Sequence, residues 1–309
     1  MKLDWAVDDV RDPEMVPHTP QRSERPGKAG ALLETEVPSG DRLAIARIRR
    51  TLVTDRIGFQ TYLFGEVSST NDVLQQMTNA GAADGTVVLA EAQTMGRGRL
   101  GKPWFSPPGL NLYASVLFRP SIAPDEVPVF ACVAGLAVSD AIEAEGVRAT
   151  LKWPNDVLVE GRKVGGTLVE WASRGEAVDH VILGVGVNLN VDRATLVTAL
   201  GPAAADATSL AAAARRVIDR NVFAATVLNR LESWDDEYRA HGAEAVLRAW
   251  RKRDALAGHI VQVRERGAPY LGIAWGVDRN GRLVVEDATG ARHQILSGEV
   301  VIVDMPRAT

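Results

Sequence analysis

Apolar residues change their spacing three times along the chain. Residues 1–40 show no sustained apolar period and are rich in Pro, Glu, Asp, Arg and Gly, and Pro13, Pro17, Pro20, Pro26 and Pro38 each interrupt a helix. That composition predicts a disordered extension, because it offers too little apolar surface to offset the entropy of ordering. Residues 41–53 then show an amphipathic helical pattern, with Asp41 in the capping position. From Tyr62 onward the pattern is mixed. Runs at 62–67, 86–91, 110–119, 149–152, 157–159, 163–171 and 180–189 read as strands. Segments 69–80, 208–217, 221–241 and 243–251 read as helices, as does the Ala/Val-rich stretch 127–145. After Ala257 the apolar runs shorten to 260–264, 270–277, 283–286 and 294–296, divided by the turns Asp278-Arg279-Asn280-Gly281 and Asp287-Ala288-Thr289-Gly290. The prediction is an α+β protein with an extension over 1–40, a mixed-sheet domain over 41–256 and a small β-barrel over 257–309.

Composition narrows the class without naming a function. A chain of 309 residues with 46% hydrophobic and 24% charged residues has ample material for a buried core. A net charge of −4 argues against a general nucleic-acid coat while leaving room for a local basic pocket. The single cysteine, Cys132, has no partner for an internal disulfide and lies in the apolar run 129–137, where it reads as a small core residue. The sequence shows no apolar run that reads as a membrane span, and the N-terminus has no apolar signal core, so a cytoplasmic location is expected.

Two basic strings carry the candidate chemistry. Residues 90–104 contain Gly96-Arg97-Gly98-Arg99-Leu100-Gly101-Lys102-Pro103-Trp104. Its glycines let backbone amides approach an anion, and its arginines offer paired donors to phosphate oxygens. Alone, the string reads equally well as a solvated basic turn. It is not a P-loop, since no Ser or Thr follows the lysine. Some fifty residues later comes Lys152-Trp153-Pro154-Asn155-Asp156, a lysine at a strand end followed by a proline-fixed turn. Asp156 is placed to orient Lys152 or a metal ion. Ser68-Ser69-Thr70-Asn71 sets hydroxyls and an amide where a strand meets a helix, as a cap or as partners for a neutral polar ring. The β-run Gly184-Val185-Gly186-Val187-Asn188-Leu189-Asn190 ends in asparagines.

Taken in order, SSTN, the AEAQ–GRGR–W loop, NLYASVLFRP, KWPND, GRKVGGTLVE and GVGVNLN resemble the biotin protein ligases over roughly residues 60 to 300. The resemblance implies the biotin/lipoate ligase fold with a C-terminal SH3-like barrel, and activation of biotin by ATP and Mg²⁺ to biotinyl-AMP. Transfer then follows to a lysine of a biotin carboxyl carrier domain, such as that of acetyl-CoA carboxylase. Laid on matching positions, it gives biotin to Ser69, Thr70, Asn71, Gln93, Gly96, Arg97, Lys152, Gly165 and Gly166. ATP or AMP falls to Arg99, Lys102, Trp104 and Asn188, with Lys152 and Arg99 as the catalytic pair and no metal ligand assigned. Lys102 stands where the family often has arginine, and Gly165 where it often has alanine. Ligation of lipoate or a related fatty acid is the neighbouring alternative, and a ligase that also represses transcription is another. Only one helix, however, is predicted ahead of the catalytic domain, where a DNA-binding helix-turn-helix needs two or three. Relatives occur as homodimers and as monomers, and the resemblance allows either.

Overall fold

The computed structural model describes residues 42–265 and 268–303. The expected extension over 1–40, and Asp41 as a helix cap, lie outside the described residues. Helix α1 (Ile45–Thr51) starts behind Ala44, with no side-chain cap.

The larger sheet has seven strands: β1 (Thr61–Val67), β2 (Val87–Gln93), β3 (Leu112–Phe118), β4 (Thr150–Lys152), β5 (Asp156–Val159), β6 (Arg162–Arg174) and β7 (Ala177–Val187). They lie in the order β1-β2-β3-β7-β6-β5-β4. Only β1 and β2 pair in parallel, with α2 (Thr70–Asn79) as their crossover; every other pairing is antiparallel. Alternation along the strands sends two sets of side chains to opposite faces. One face carries Val87, Leu89, Leu112, Val116, Phe118, Leu183 and Val187, all buried against α3 (Pro128–Ala144) and the helices beyond it. With the 3₁₀ turn that leads into it, α3 forms a run, Pro124–Ala144, long and apolar enough to pass for a membrane span, yet 72% of its most apolar window lies inside the molecule, as a core helix requires. The other face packs Val88, Leu117 and Ile182 on Leu74 of α2. Burying a leucine this completely is worth roughly 1.5–3 kcal/mol.

Among the helices, two elements depart from the sequence expectation. Helix α4 (Arg193–Leu200) is capped by Asp192, which accepts from Thr195 N at 2.7 Å, and a 3₁₀ turn follows over Gly201–Asp206. The helix expected over 208–217 is the single turn α5 (Leu210–Ala214), closed by Arg215 in the left-handed region at φ 55°. Helix α6 (Arg220–His241) is capped by Asp219, and α7 (Ala243–Arg251) follows it.

The C-terminal strands are β8 (Ile260–Arg264), β9 (Tyr270–Val277), β10 (Leu283–Asp287), β11 (Arg292–Ile295) and β12 (Glu299–Ile302), antiparallel in the order β11-β10-β9-β8-β12. Val261, Val263, Ala274, Leu283, Val285 and Val300 bury their side chains in the same continuous core as the large sheet. The whole is α+β, with a small SH3-like β unit at its end. Strand β12 was not foreseen; its side chains alternate between exposed and buried or half-buried.

Candidate active site

Beside the start of α2, the face of the large sheet that carries Leu117 and Ile182 thins to small residues and glycines. Ser115 is opposite Gly184, and Gly166 is opposite Gly186. The result is a trough floored by glycine backbone. It opens into a cavity of about 620 Å³ bounded by the 97–105 loop, the 152–156 turn, α4 and β12. Close approach explains the glycines: a Cβ at 184 would lie 2.5 Å from Asn71 Oδ1, and one at 186 would lie 2.6 Å from Trp104 Nε1.

At one end sits a polar cluster. Ser69 opens α2 without capping it, so its hydroxyl is not committed to the helix. Ser69, Thr70, Asn71 and Ser115 are all buried. Gln93 Oε1 accepts from Thr70 N at 2.9 Å, and Gln93 Nε2 donates to Ser106 Oγ at 3.0 Å. These two bonds fix the orientation of the Gln93 amide.

The Gly/Arg loop is a compact hairpin. Gly98 N donates to Lys102 O at 2.7 Å and Trp104 N to Gly96 O at 2.8 Å, while Leu100 (φ 56°) and Gly101 (φ 71°) make the reversal. Its cations point three ways. Arg97 pairs with Asp72 at 2.5 Å and Glu170 at 3.1 Å, and these partners, Asp72 first, push its pKa above the ordinary value. Arg99 lies 5.7 Å from the Trp153 ring and donates to Ser297 Oγ at 3.3 Å; burial draws its pKa down, opposed by Asp156. Lys102 pairs with Glu299 at 2.9 Å, and that contact holds the Glu299 carboxyl below its usual range.

The 152–156 turn is closed by the Lys152–Asp156 pairing of β4 and β5, with a cis bond at Trp153–Pro154. Trp153 is buried and donates to Gly281 O at 3.1 Å, seating the turn on the C-terminal strands. Asp156 was expected to orient Lys152 or a metal ion. Its carboxylate instead meets Lys163 Nζ at 2.5 Å, and that ammonium also lies 5.3 Å from the centre of the Trp104 ring. A Cβ at Gly166 would be 3.5 Å from Lys163 Nζ, so this lysine lies directly over the glycine floor. Trp104 Nε1 is buried with no partner among the described residues. Beyond it, Asn188 donates to Thr208 O at 3.1 Å, in a wall shared with Leu196 and Leu200 of α4.

Of the residues picked from sequence, Ser69, Thr70, Asn71, Gln93, Arg97, Arg99, Lys102, Trp104, Lys152, Gly166 and Asn188 line this one cavity. Gly96 and Gly165 do not. A Cβ at 96 would strike Ser106 Oγ and Gln93 Nε2 beneath the loop, and one at 165 would face Val187 on the opposite side of the sheet. Sequence reasoning gave Lys163, Ser115, Gly184 and Gly186 no role of their own, though all four lie in the quoted motifs. The period-2 alternation of β7 already sets the last two on one face. Among the described residues no group of three or more His, Cys, Asp or Glu side chains is arranged to hold a metal ion.

Residues 63–188 match the biotin/lipoate A/B protein ligase family, and residues 257–303 match the biotin protein ligase C-terminal domain. The bifunctional ligase/repressor BirA of Bacillus subtilis is 32% identical over 260 residues, covering 84% of this chain and 79% of that protein. The biotin–[acetyl-CoA-carboxylase] ligase of Mycobacterium tuberculosis is 35% identical over 254 residues, covering 78% and 88%. Among solved structures, biotin protein ligase from Aquifex aeolicus in complex with biotin and ATP superimposes with a TM-score of 0.66 at 28% identity, covering 80% of this chain and all of that one. With both domains matched and relatives above 30% identity covered over more than three quarters of their length, the chain belongs to the biotin protein ligase family.

Proposed function

We propose that this protein joins biotin to ATP, forming biotinyl-AMP, and passes the biotinyl group to a lysine of a biotin carboxyl carrier domain. The observation that carries the reading is that one trough holds a neutral polar cluster at one end and the cations Lys102, Lys152, Lys163, Arg97 and Arg99 along its length. Biotin has the matching order: an uncharged ureido ring, an apolar tail and a terminal carboxylate. The match of residues 257–303 to the C-terminal domain of biotin protein ligases favours biotin over lipoate.

In this reading Ser69, Thr70, Asn71 and Gln93 take the ring, and the tail runs over the glycine floor beneath Trp104. The carboxylate then arrives at Lys163. The sequence reading puts that junction at Lys152, which lines the same cavity; in this reading Lys163, over the floor at Gly166, takes the carboxylate and Lys152 stands beside it. A carboxylate oxygen attacks the α-phosphorus, the bond from that phosphorus to the bridging oxygen breaks, and pyrophosphate leaves. Two anions must meet, so fixed positive charge from Lys163, Lys152 and Arg99 lowers the barrier, a kind of effect typically worth about 10²–10³ in rate per group. Lys102 and Arg99 receive phosphates, with Lys102 exchanging Glu299 for them, and Asn188 and the α4 wall receive the adenine. Magnesium enters with the nucleotide as MgATP, carried by phosphate oxygens and water. In the second step the acceptor amine, having shed a proton, attacks the acyl carbon and the bond to AMP breaks. The buried Cys132 thiol suits a reducing compartment, and the cytoplasm is the location this reading takes. Of the two activities named for the Bacillus subtilis relative, only ligation is proposed for this chain.

Incubation with biotin, MgATP and a biotin carboxyl carrier domain should raise the acceptor's mass by one biotinyl group. Lys163→Ala should lower biotin-dependent pyrophosphate release by about 10²-fold or more, and Lys152→Ala by less. No mass shift with the wild-type chain would overturn the function; the reverse order of the two variants would return the junction to Lys152.

A further inference from the structure

Glu170 is a charged residue on the sheet face beside the trough, outside every role given above. It stands on β6 opposite Ile182, and its carboxylate accepts from two groups, Arg97 touching both oxygens and Asn71 one. Oε2 accepts from Asn71 Nδ2 at 2.7 Å, and Oε1 accepts from Arg97 Nη2 at 3.1 Å.

The consequence lies in where the protons sit. A carboxylate only accepts, so the nitrogen of the Asn71 amide must face Glu170 and its oxygen must face away. That oxygen lies 2.5 Å from Ser115 Oγ. Two oxygens this close repel unless a proton lies between them, and an amide oxygen has none to give, so Ser115 donates. Ser115 has one hydroxyl proton, now used. Thr70 Oγ1 has two oxygens in reach, Ser115 Oγ at 2.8 Å and Gln93 Oε1 at 3.3 Å; the shorter contact is the one that needs a proton between its oxygens, and since Ser115 has none left, Thr70 donates to Ser115 rather than to Gln93. The Thr70 hydroxyl is left with lone pairs only, at the wall of the cavity. We propose that Glu170 is a positioning residue: through Asn71, Ser115 and Thr70 it sets the direction of a hydrogen-bond chain whose end accepts, so that the site selects a ring N–H and disfavours a ring carbonyl at that point. A carboxylate is the one common side chain that allows no other direction. The inference rests on the assignment of this end of the trough to the ureido ring.

The test is calorimetric titration of the full chain with biotin and, separately, with ATP. Glu170→Gln keeps shape while offering an amide that permits the reversed chain. Biotin affinity should fall about tenfold or more, the loss typical of a mismatched polar contact, while ATP affinity stays within about twofold of wild type. Glu170→Gln combined with Asn71→Asp restores an acceptor-only group one step along the chain. The new amide at position 170 then donates to the new carboxylate at position 71, and Ser115 must again donate to that carboxylate. The pair should recover most of the lost biotin affinity, a recovery that simple loss of the Arg97 contact would not show. Unchanged biotin affinity in Glu170→Gln, or a double variant no better than the single, would overturn the proposal. Should Glu170→Gln fail to fold, Ser115→Ala, which cuts the chain and keeps Glu170, decides in the same way: a tenfold loss supports it and wild-type affinity sinks it. Wild-type chain that does not bind biotin at all would instead remove the assignment of the ring site.

Discussion

Gly184 shows how little space separates the ligand site from the residues that shape it. A methyl group there would lie 2.5 Å from Asn71 Oδ1 and 3.1 Å from Asn71 Cγ. Asn71 cannot retreat freely, since it is buried and bonded at both ends of its amide. Gly184→Ala should therefore displace Asn71, raise the KM for biotin at least about tenfold and leave the KM for ATP near wild type, with a modest stability loss of about 1–3 kcal/mol from overpacking. A wild-type KM for biotin would show that Asn71 yields without cost to the site. At this scale the sequence is legible where chemistry is written in residue type, as with Ser69, Gln93 and Arg99. It is opaque where position decides. Lys163 and Lys152 are alike as letters, and only the fold shows that Asp156 turns toward the former. Glycines 165 and 166 are adjacent letters on opposite faces of the sheet, and only one borders the cavity.

Elements were readable where period and length agree, as for α3, α6 and the strands of the large sheet. Helix α4 escaped because its signal is weak: it is short, and its core contact rests on Leu196. The β10–β11 turn shows the opposite case, a hairpin readable from its turn residues alone. Asp287 Oδ1 accepts from Thr289 N at 2.8 Å, Thr289 Oγ1 at 2.6 Å and Ala291 N at 3.1 Å, while Oδ2 lies 2.7 Å from His293 Nε2. These partners, the Thr289 hydroxyl first, hold the carboxyl below the ordinary carboxylate range. A depressed folded pKa means that ionised Asp287 stabilises the fold at pH values above its unfolded pKa of about 4. The benefit is lost as pH falls through the lower folded value. Asp287→Asn should thus melt at a lower temperature than wild type at neutral pH, and the gap should close as the medium is acidified past pH ~4. Melting curves across pH that ran parallel would show that Asp287 does not bond in this way.

On the scale of the whole molecule, the α+β architecture and its two β-rich parts follow from the change of pattern after Ala257. The joins between the parts do not, because they are made by single side chains distant in sequence. Trp153 reaching Gly281 and Lys102 reaching Glu299 are two such joins. Arg220 is a third. It is the first residue of α6, where the helix dipole disfavours a cation. From sequence it is out of place; in the fold it is fully buried, donating to Glu91 Oε2 at 2.8 Å and to Asn111 O at 3.1 Å. Glu91 in turn accepts from Leu43 N at 2.7 Å, and the Asn111 side chain accepts from Leu189 N at 3.0 Å. One guanidinium thereby ties α6 to β2, which leads into the Gly/Arg loop, and to the exit of β7, which leads to Asn188. Arg220→Met keeps the length of the side chain and removes its charge, leaving Glu91 without its ion-pair partner. Breaking one half of a buried pair costs about 3–5 kcal/mol, so urea unfolding should show a loss of that order at an unchanged slope. A loss under about 1 kcal/mol would mean that water or a shifted neighbour satisfies Glu91, and that the packing of α6 alone holds these segments together.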